Sequence, residues 1–191
     1  MPADRPFTEF DWSKLPAPED DGAARHLVGA RVADVALPST AGGVVSLASL
    51  PGRTVLFVYP MTGTPGVALP EGWDEIPGAR GCTPHACAFR DLHAELRKAG
   101  AAAVFGLSTQ TLVEQQETVE RLHLPFPLLS DAGLALARAM TLPTMEVAGK
   151  PMLKRLALII DDGVVVQLFY PVFPPDRNAG DVLVWLEANT R

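Results

Sequence analysis

Apolar positions along the 191-residue chain follow two periods, and the elements can be read from where one gives way to the other. Thr54 to Tyr59 is an unbroken β-branched, apolar and aromatic run, which predicts a strand buried on both faces. Phe89, Leu92, Leu96 and Ala99 recur at helical spacing and predict a helix to about Lys98, with Thr83 as N-cap and Pro84 at the first helical position. Between them, Met61 to Gly81 has no period and is rich in glycine and proline, a loop of the length that is usually functional or disordered. After the helix, the pattern predicts a strand Ala102–Leu107, a helix Leu112–Leu122 capped by Thr109 or Thr111, and a short strand Phe126–Leu129. Ser130-Asp131 caps a further helix ending at Met140, and Pro143 and Gly149 mark a loop. Arg155–Ile160 and Val164–Tyr170 read as strands joined by Asp161-Asp162-Gly163, a strong hairpin signal. A last helix begins at Asp176 or Asn178 and buries Val182, Leu183, Trp185 and Leu186. Upstream, Val32–Leu37 and Val44–Leu47 flank the turn Gly42-Gly43 as a second hairpin, followed by one helical turn at Leu47–Leu50.

Strand, helix, strand and helix, then a hairpin and a terminal helix, is the order of an α/β, thioredoxin-like fold. The crossovers predict a central mixed sheet with helices on both faces. Residues 1–28 mix prolines and acids with Phe7, Phe10 and Trp12, an N-terminal extension whose aromatics could pin it to the domain surface. Residues 29–191 form the domain.

Composition narrows the function classes. A 48% apolar and 20% charged chain is globular, and a net charge of −6 argues against nucleic acid or an anionic membrane as partner. No signal-like segment opens the chain and no apolar run reaches a membrane span. Two cysteines are too few for a disulfide scaffold, so a cytoplasmic protein with cysteines kept for chemistry is expected.

Both cysteines lie in Gly81-Cys82-Thr83-Pro84-His85-Ala86-Cys87-Ala88-Phe89-Arg90-Asp91. Cys82 falls at a helix N-terminus, where unpaired N–H groups favour a negatively charged sulfur. Five residues on one helix amount to about 140° of net rotation and about 7.5 Å of rise, beyond the roughly 7 Å between Cα atoms that a disulfide tolerates. For Cys82 and Cys87 to react with each other, the first helical turns must unwind. The set Cys82, His85, Cys87 and His93 fits no common zinc spacing well. Arg155 could pair with Asp161 or Asp162, and Trp73 could either pack the long loop or line a substrate path.

Pro60-Met61-Thr62-Gly63-Thr64-Pro65-Gly66 together with the cysteine stretch resembles a peroxiredoxin active site of the bacterioferritin-comigratory, or Q-type, class. That family carries P-x-x-x-T-x-x-C and, in this class, C-T-x-x-A-C-x-F-R-D. Here Pro60 and Thr64 match the first half, Cys82 and Cys87 the second, and Val67–Gly81 is an insertion. Lys154 to Asp161 is similar to the segment whose arginine supports the peroxidatic cysteine, and Leu128-Leu129-Ser130-Asp131 to the one before the next helix.

The resemblance implies an atypical two-cysteine, thioredoxin-dependent hydroperoxide reductase that is a monomer or homodimer and needs no cofactor or metal. Cys82 would be the nucleophile, Cys87 the resolving thiol, and Arg155 with Thr64 the groups that polarise the peroxide. The family keeps a threonine within three residues of the cysteine, and Ala79 stands there in this chain. Either the insertion bulges out and leaves Thr64 on Cys82, the preferred reading, or threonine's role has passed elsewhere. A thiol–disulfide oxidoreductase or redox sensor of the same fold, without peroxidase turnover, is the alternative; the chain has no C-x-x-C.

Overall fold

The computed structural model describes residues 10–190. Phe7 lies outside them. In chain order the strands are β1 (Leu37–Pro38), β2 (Val44–Val45), β3 (Arg53–Val58), β4 (Ala103–Ser108), β5 (Leu128–Ser130), β6 (Thr144–Val147), β7 (Lys150–Leu153), β8 (Leu156–Asp161) and β9 (Val164–Phe169). The helices are α1 (Cys82–Asp91), α2 (His93–Lys98), α3 (Leu112–Leu122), α4 (Ala135–Met140) and α5 (Asn178–Ala188). Five strands form one mixed sheet in the order β5-β4-β3-β8-β9, with β3, β4 and β5 parallel and β8 antiparallel to both its neighbours. This is the thioredoxin-like architecture that the element order predicts.

The strand at the centre explains why the sheet is covered twice. All six residues of β3 are buried, and with a period of two they divide between faces. Leu56 and Val58 join Leu158 and Ile160 of β8 and Leu136 and Met140 of α4 in one core, to which Leu27, Val32 and Leu37 also belong. Val55 and Phe57 join Ile159, Phe89 of α1, Leu96 of α2 and Val182 and Leu186 of α5 in the other. Phe57 stacks on Phe89 with centroids 4.5 Å apart and planes 8° from parallel. Through that pair β3 sets the position of the cysteine helix.

Local chemistry moved several predicted boundaries. Helix α1 is capped by Gly81 and not by Thr83, with Cys82 as its first residue. The cause is Gly81's left-handed φ of +104°, which turns the chain one step earlier. Pro84 becomes the third helical residue, still among those whose N–H would have no intrahelical partner. The predicted single helix is two, because the backbone bends at Leu92 while the Leu92 N–H still reaches Ala88 and Leu96 still donates to Leu92. Thr111 caps α3 in a capping box with Glu114, and the Asp131 carboxylate accepts from Leu136 and Ala137 at the start of α4.

The loop predicted at Pro143–Gly149 is a hairpin, β6–β7, turning at Ala148-Gly149 with both residues at positive φ. It was hidden because Ala148 is not a usual residue for that turn. Arg155 lies one residue ahead of β8, and Asp161 pairs with Arg53 at 3.3 Å.

Gly106 in the middle of β4 is where Phe57 and Leu128 converge. A Cβ there would lie 2.6 Å from the Phe57 ring and 2.5 Å from the Leu128 side chain. Gly106→Ala is expected to destabilise the fold by about 1–3 kcal/mol, since both neighbours are packed and cannot simply swing away. Denaturant unfolding measures it, and an unchanged midpoint would show that the ring has room to move.

Candidate active site

Cys82 sits at the mouth of α1, 3% exposed, and lines a cavity of about 160 Å³. The cavity is lined by the first turn of α1, by Met61, Gly63, Leu69, Trp73 and Arg80 of the long loop, and by Phe10 and Trp12. The loop folds down: Trp73 is 4% exposed, packs with Ala79 and Val147, and also lines the cavity.

Arg155 reaches the sulfur from the start of β8. Its Nη2 donates to Cys82 Sγ at 3.1 Å and lies 3.1–3.3 Å from the carbonyls of Gly78, Ala79 and Arg80. The other terminal nitrogen, Nη1, is 2.9 Å from His85 Nδ1. A guanidinium only donates, so Nδ1 must accept and the imidazole proton must be on Nε2. That nitrogen, 2.8 Å from Asn178 Oδ1, donates to it. The chain Cys82–Arg155–His85–Asn178 thus ties α1 to the start of β8 and the first residue of α5. His85 is fully buried, and burial first, then the adjacent Arg155 charge, push its pKa well below the usual imidazole value despite Asn178. It stays neutral, which is what accepting from Arg155 requires.

The other predicted residues sit differently. Cys87 is half-buried further along α1, and burial raises its thiol pKa more than Arg90 and Arg121 lower it. Both cysteines are free thiols in an intact helix. Thr64 occupies a half-exposed turn whose carbonyl accepts from Val67, and it is not among the residues lining the cavity. Thr62 is buried but bonded to Gln110 and Thr118. The threonine on the cavity wall is Thr83. Ala79, in the place where the family pattern has threonine, offers its carbonyl, which accepts from Arg155 and lies 3.6 Å from Cys82 Sγ. Among the described residues no group of three His, Cys, Asp or Glu is arranged to hold a metal ion.

Two partners escaped the sequence reading. His85 stood out there only for its spacing to the cysteines, and Asn178 only as a helix start. The available signal was that His85, three residues after Cys82, shares a face of α1 with it.

The family model described as Redoxin matches residues 27–183. A chloroplastic peroxiredoxin Q of Oryza sativa subsp. japonica is 31% identical over 148 residues, covering 77% of this chain and 60% of the rice protein. Peroxidoxin BcpB of Mycobacterium tuberculosis is 32% identical with a TM-score of 0.69, covering 86% of this chain and 98% of that one. The chain is a Q-type peroxiredoxin. The bacterioferritin comigratory protein of Xanthomonas campestris, solved for its alkyl peroxide reduction activity, is 26% identical with a TM-score of 0.64, over 92% of this peroxiredoxin and 97% of that chain. No helix among the described residues is long and apolar enough to cross a membrane.

The neutral, buried His85 makes stability depend on pH in a defined direction. Its pKa is lower folded than unfolded, so between the two the unfolded chain holds the extra proton and stability rises with pH. The contribution is complete above about pH 6.5 and is lost below it at up to about 1.4 kcal/mol per unit. His85→Gln can accept from Arg155 without titrating. Denaturant unfolding of both proteins between pH 7.5 and 5 is expected to give a difference that is flat above about pH 6.5 and moves against the wild type below it. Parallel curves throughout would contradict a neutral His85.

Proposed function

We propose that this peroxiredoxin is a thiol-dependent peroxidase that reduces hydroperoxides at Cys82. The observation that carries the reading is the Arg155 guanidinium 3.1 Å from Cys82 Sγ, at a helix N-terminus that borders a cavity. The Cys82 thiolate attacks the terminal oxygen of ROOH, forming the S–O bond as the O–O bond breaks; the leaving oxygen takes a proton and departs as water or alcohol. Arg155 and the first-turn N–H groups stabilise charge moving from sulfur to that oxygen, with the Thr83 hydroxyl on the cavity wall beside them.

Cys87 then attacks the sulfenic sulfur, closing an intramolecular disulfide and releasing water. Two thiols in one intact helix cannot do this without unwinding it. Helix α1 is suited to melt as a unit, since Gly81 bounds it on one side and the bend at Leu92 on the other. A dithiol such as thioredoxin restores both thiols by exchange. Alkyl peroxide reduction is named for the Xanthomonas relative, and the apolar Trp73, Met61 and Leu69 suit an organic hydroperoxide here as well as hydrogen peroxide. We place the protein in the cytoplasm, where its thiols stay reduced, as a monomer or homodimer, with residues 29–191 the catalytic domain and 1–28 an extension.

Cys82→Ser is expected to abolish peroxide consumption with thioredoxin and its reductase. Cys87→Ser is expected to consume one equivalent and stop, with a sulfenic acid or mixed disulfide in the intact mass. Turnover by the Cys82 variant would overturn the reading, and normal recycling by the Cys87 variant would make that thiol structural.

A further inference from the structure

The family match begins at residue 27, yet Phe10 and Trp12 line the cavity beside Cys82. These residues are held there. The Trp12 indole Nε1 donates to Asp176 Oδ2 at 3.0 Å, just ahead of α5, and its ring meets Phe173 edge-on at 6.3 Å. Phe10 packs on Trp12 with centroids 4.6 Å apart, and the Arg80 guanidinium lies 5.7 Å from the Phe10 centroid. Arg80 is itself fixed by two 2.7 Å bonds to the Asp74 carboxylate. Gly81, which turns the chain into Cys82, fits under this assembly: a Cβ would lie 2.4 Å from Pro175 and 2.9 Å from the Trp12 ring. The arm therefore meets the backbone at the residue preceding the nucleophile.

Trp73 lines the same cavity, so two indole rings from segments far apart in sequence border it together with Cys82. Hydrogen peroxide has nothing to place against either ring. Its volume is comparable to the roughly 30 Å³ that water occupies in the liquid, against a cavity of about 160 Å³. A hydroperoxide with a flat apolar group can set its peroxide end on Cys82 at the start of α1 and its group against the rings.

We propose that Phe10 and Trp12 are specificity-determining residues of this enzyme, building with Trp73 an aromatic slot that selects arylalkyl hydroperoxides over hydrogen peroxide. This rests on the peroxidase reading above and adds the substrate class and the segment that recognises it. The arm acts on the non-reacting part of the substrate, so its contribution belongs in discrimination between substrates and not in the chemistry common to all of them.

The test is the second-order rate of Cys82 oxidation by cumene hydroperoxide and by hydrogen peroxide, followed by quenched-flow mass spectrometry so that removing a tryptophan does not remove the signal. In the full-length Phe10→Ala/Trp12→Ala variant the cumene hydroperoxide rate is expected to fall about tenfold, the size of one lost apolar subsite, while the hydrogen peroxide rate stays within about twofold. Trp12→Phe, which keeps a ring but not the Asp176 bond, is expected to recover part of the loss. Equal losses on both substrates would make the arm a support for α1, and no loss would remove it from the substrate path; either overturns the proposal. Should Trp12→Ala perturb folding, Phe10→Ala alone gives the same comparison, because Phe10 is 38% exposed and touches the cavity from its rim. A wild-type protein inert to both peroxides would sink the peroxidase reading and the slot with it.

Discussion

A guanidinium out of contact with water must find an acceptor for its N–H groups and a counterweight for its charge. Arg155, 4% exposed, finds three backbone carbonyls, one imidazole and one sulfur, and of these only the sulfur can carry a negative charge. That constraint organises the site. The carbonyls of residues 78–80 must turn inward, so the end of the long loop is fixed against the start of β8. His85 must be neutral and of one tautomer, so it needs Asn178 behind it. Cys82 presents its sulfur to the same Nη2 that the carbonyls share.

Most of the scaffold was legible because it obeys simple periods. β3 reads as a doubly buried strand since it has no polar side to show, and the Asp162-Gly163 turn announces the β8–β9 hairpin through the positive φ that it requires. Where the reading slipped, a conformation had been taken by a residue of no special preference: Ala148 in the β6–β7 turn, or Leu92 at the bend between α1 and α2. Thr83 lost the capping position to Gly81 for the opposite reason. Gly81 takes a left-handed turn that threonine would adopt only with strain, so the helix starts there without a side-chain cap.

The site was legible only in part, and the division has a physical basis. Cys82 and Cys87 were singled out by residue type and Arg155 by the resemblance, and the fold brings Arg155 onto Cys82 while Cys87 lies further along α1. His85, Asn178 and the carbonyls of 78–80 act through position, and nothing in residue type distinguishes a positioning imidazole or carbonyl from any other. Trp12 and Phe10 are intermediate. Their aromatic character marks them as anchored, but only the fold shows that the anchor point borders Cys82.

The central claim is that the Arg155 fork, and not a positive charge alone, holds the sulfur and stabilises the charge that leaves it. Arg155→Lys keeps the charge but cannot donate to Cys82, His85 and the carbonyls together. The rate of Cys82 oxidation by hydrogen peroxide at one pH, in folded variant and wild type, tests this most directly. Loss of a charge-assisted hydrogen bond of about 1.5–3 kcal/mol predicts a fall of roughly ten- to a hundredfold. A lysine variant that reacts within about twofold of wild type, where no such bond has been lost, would contradict it.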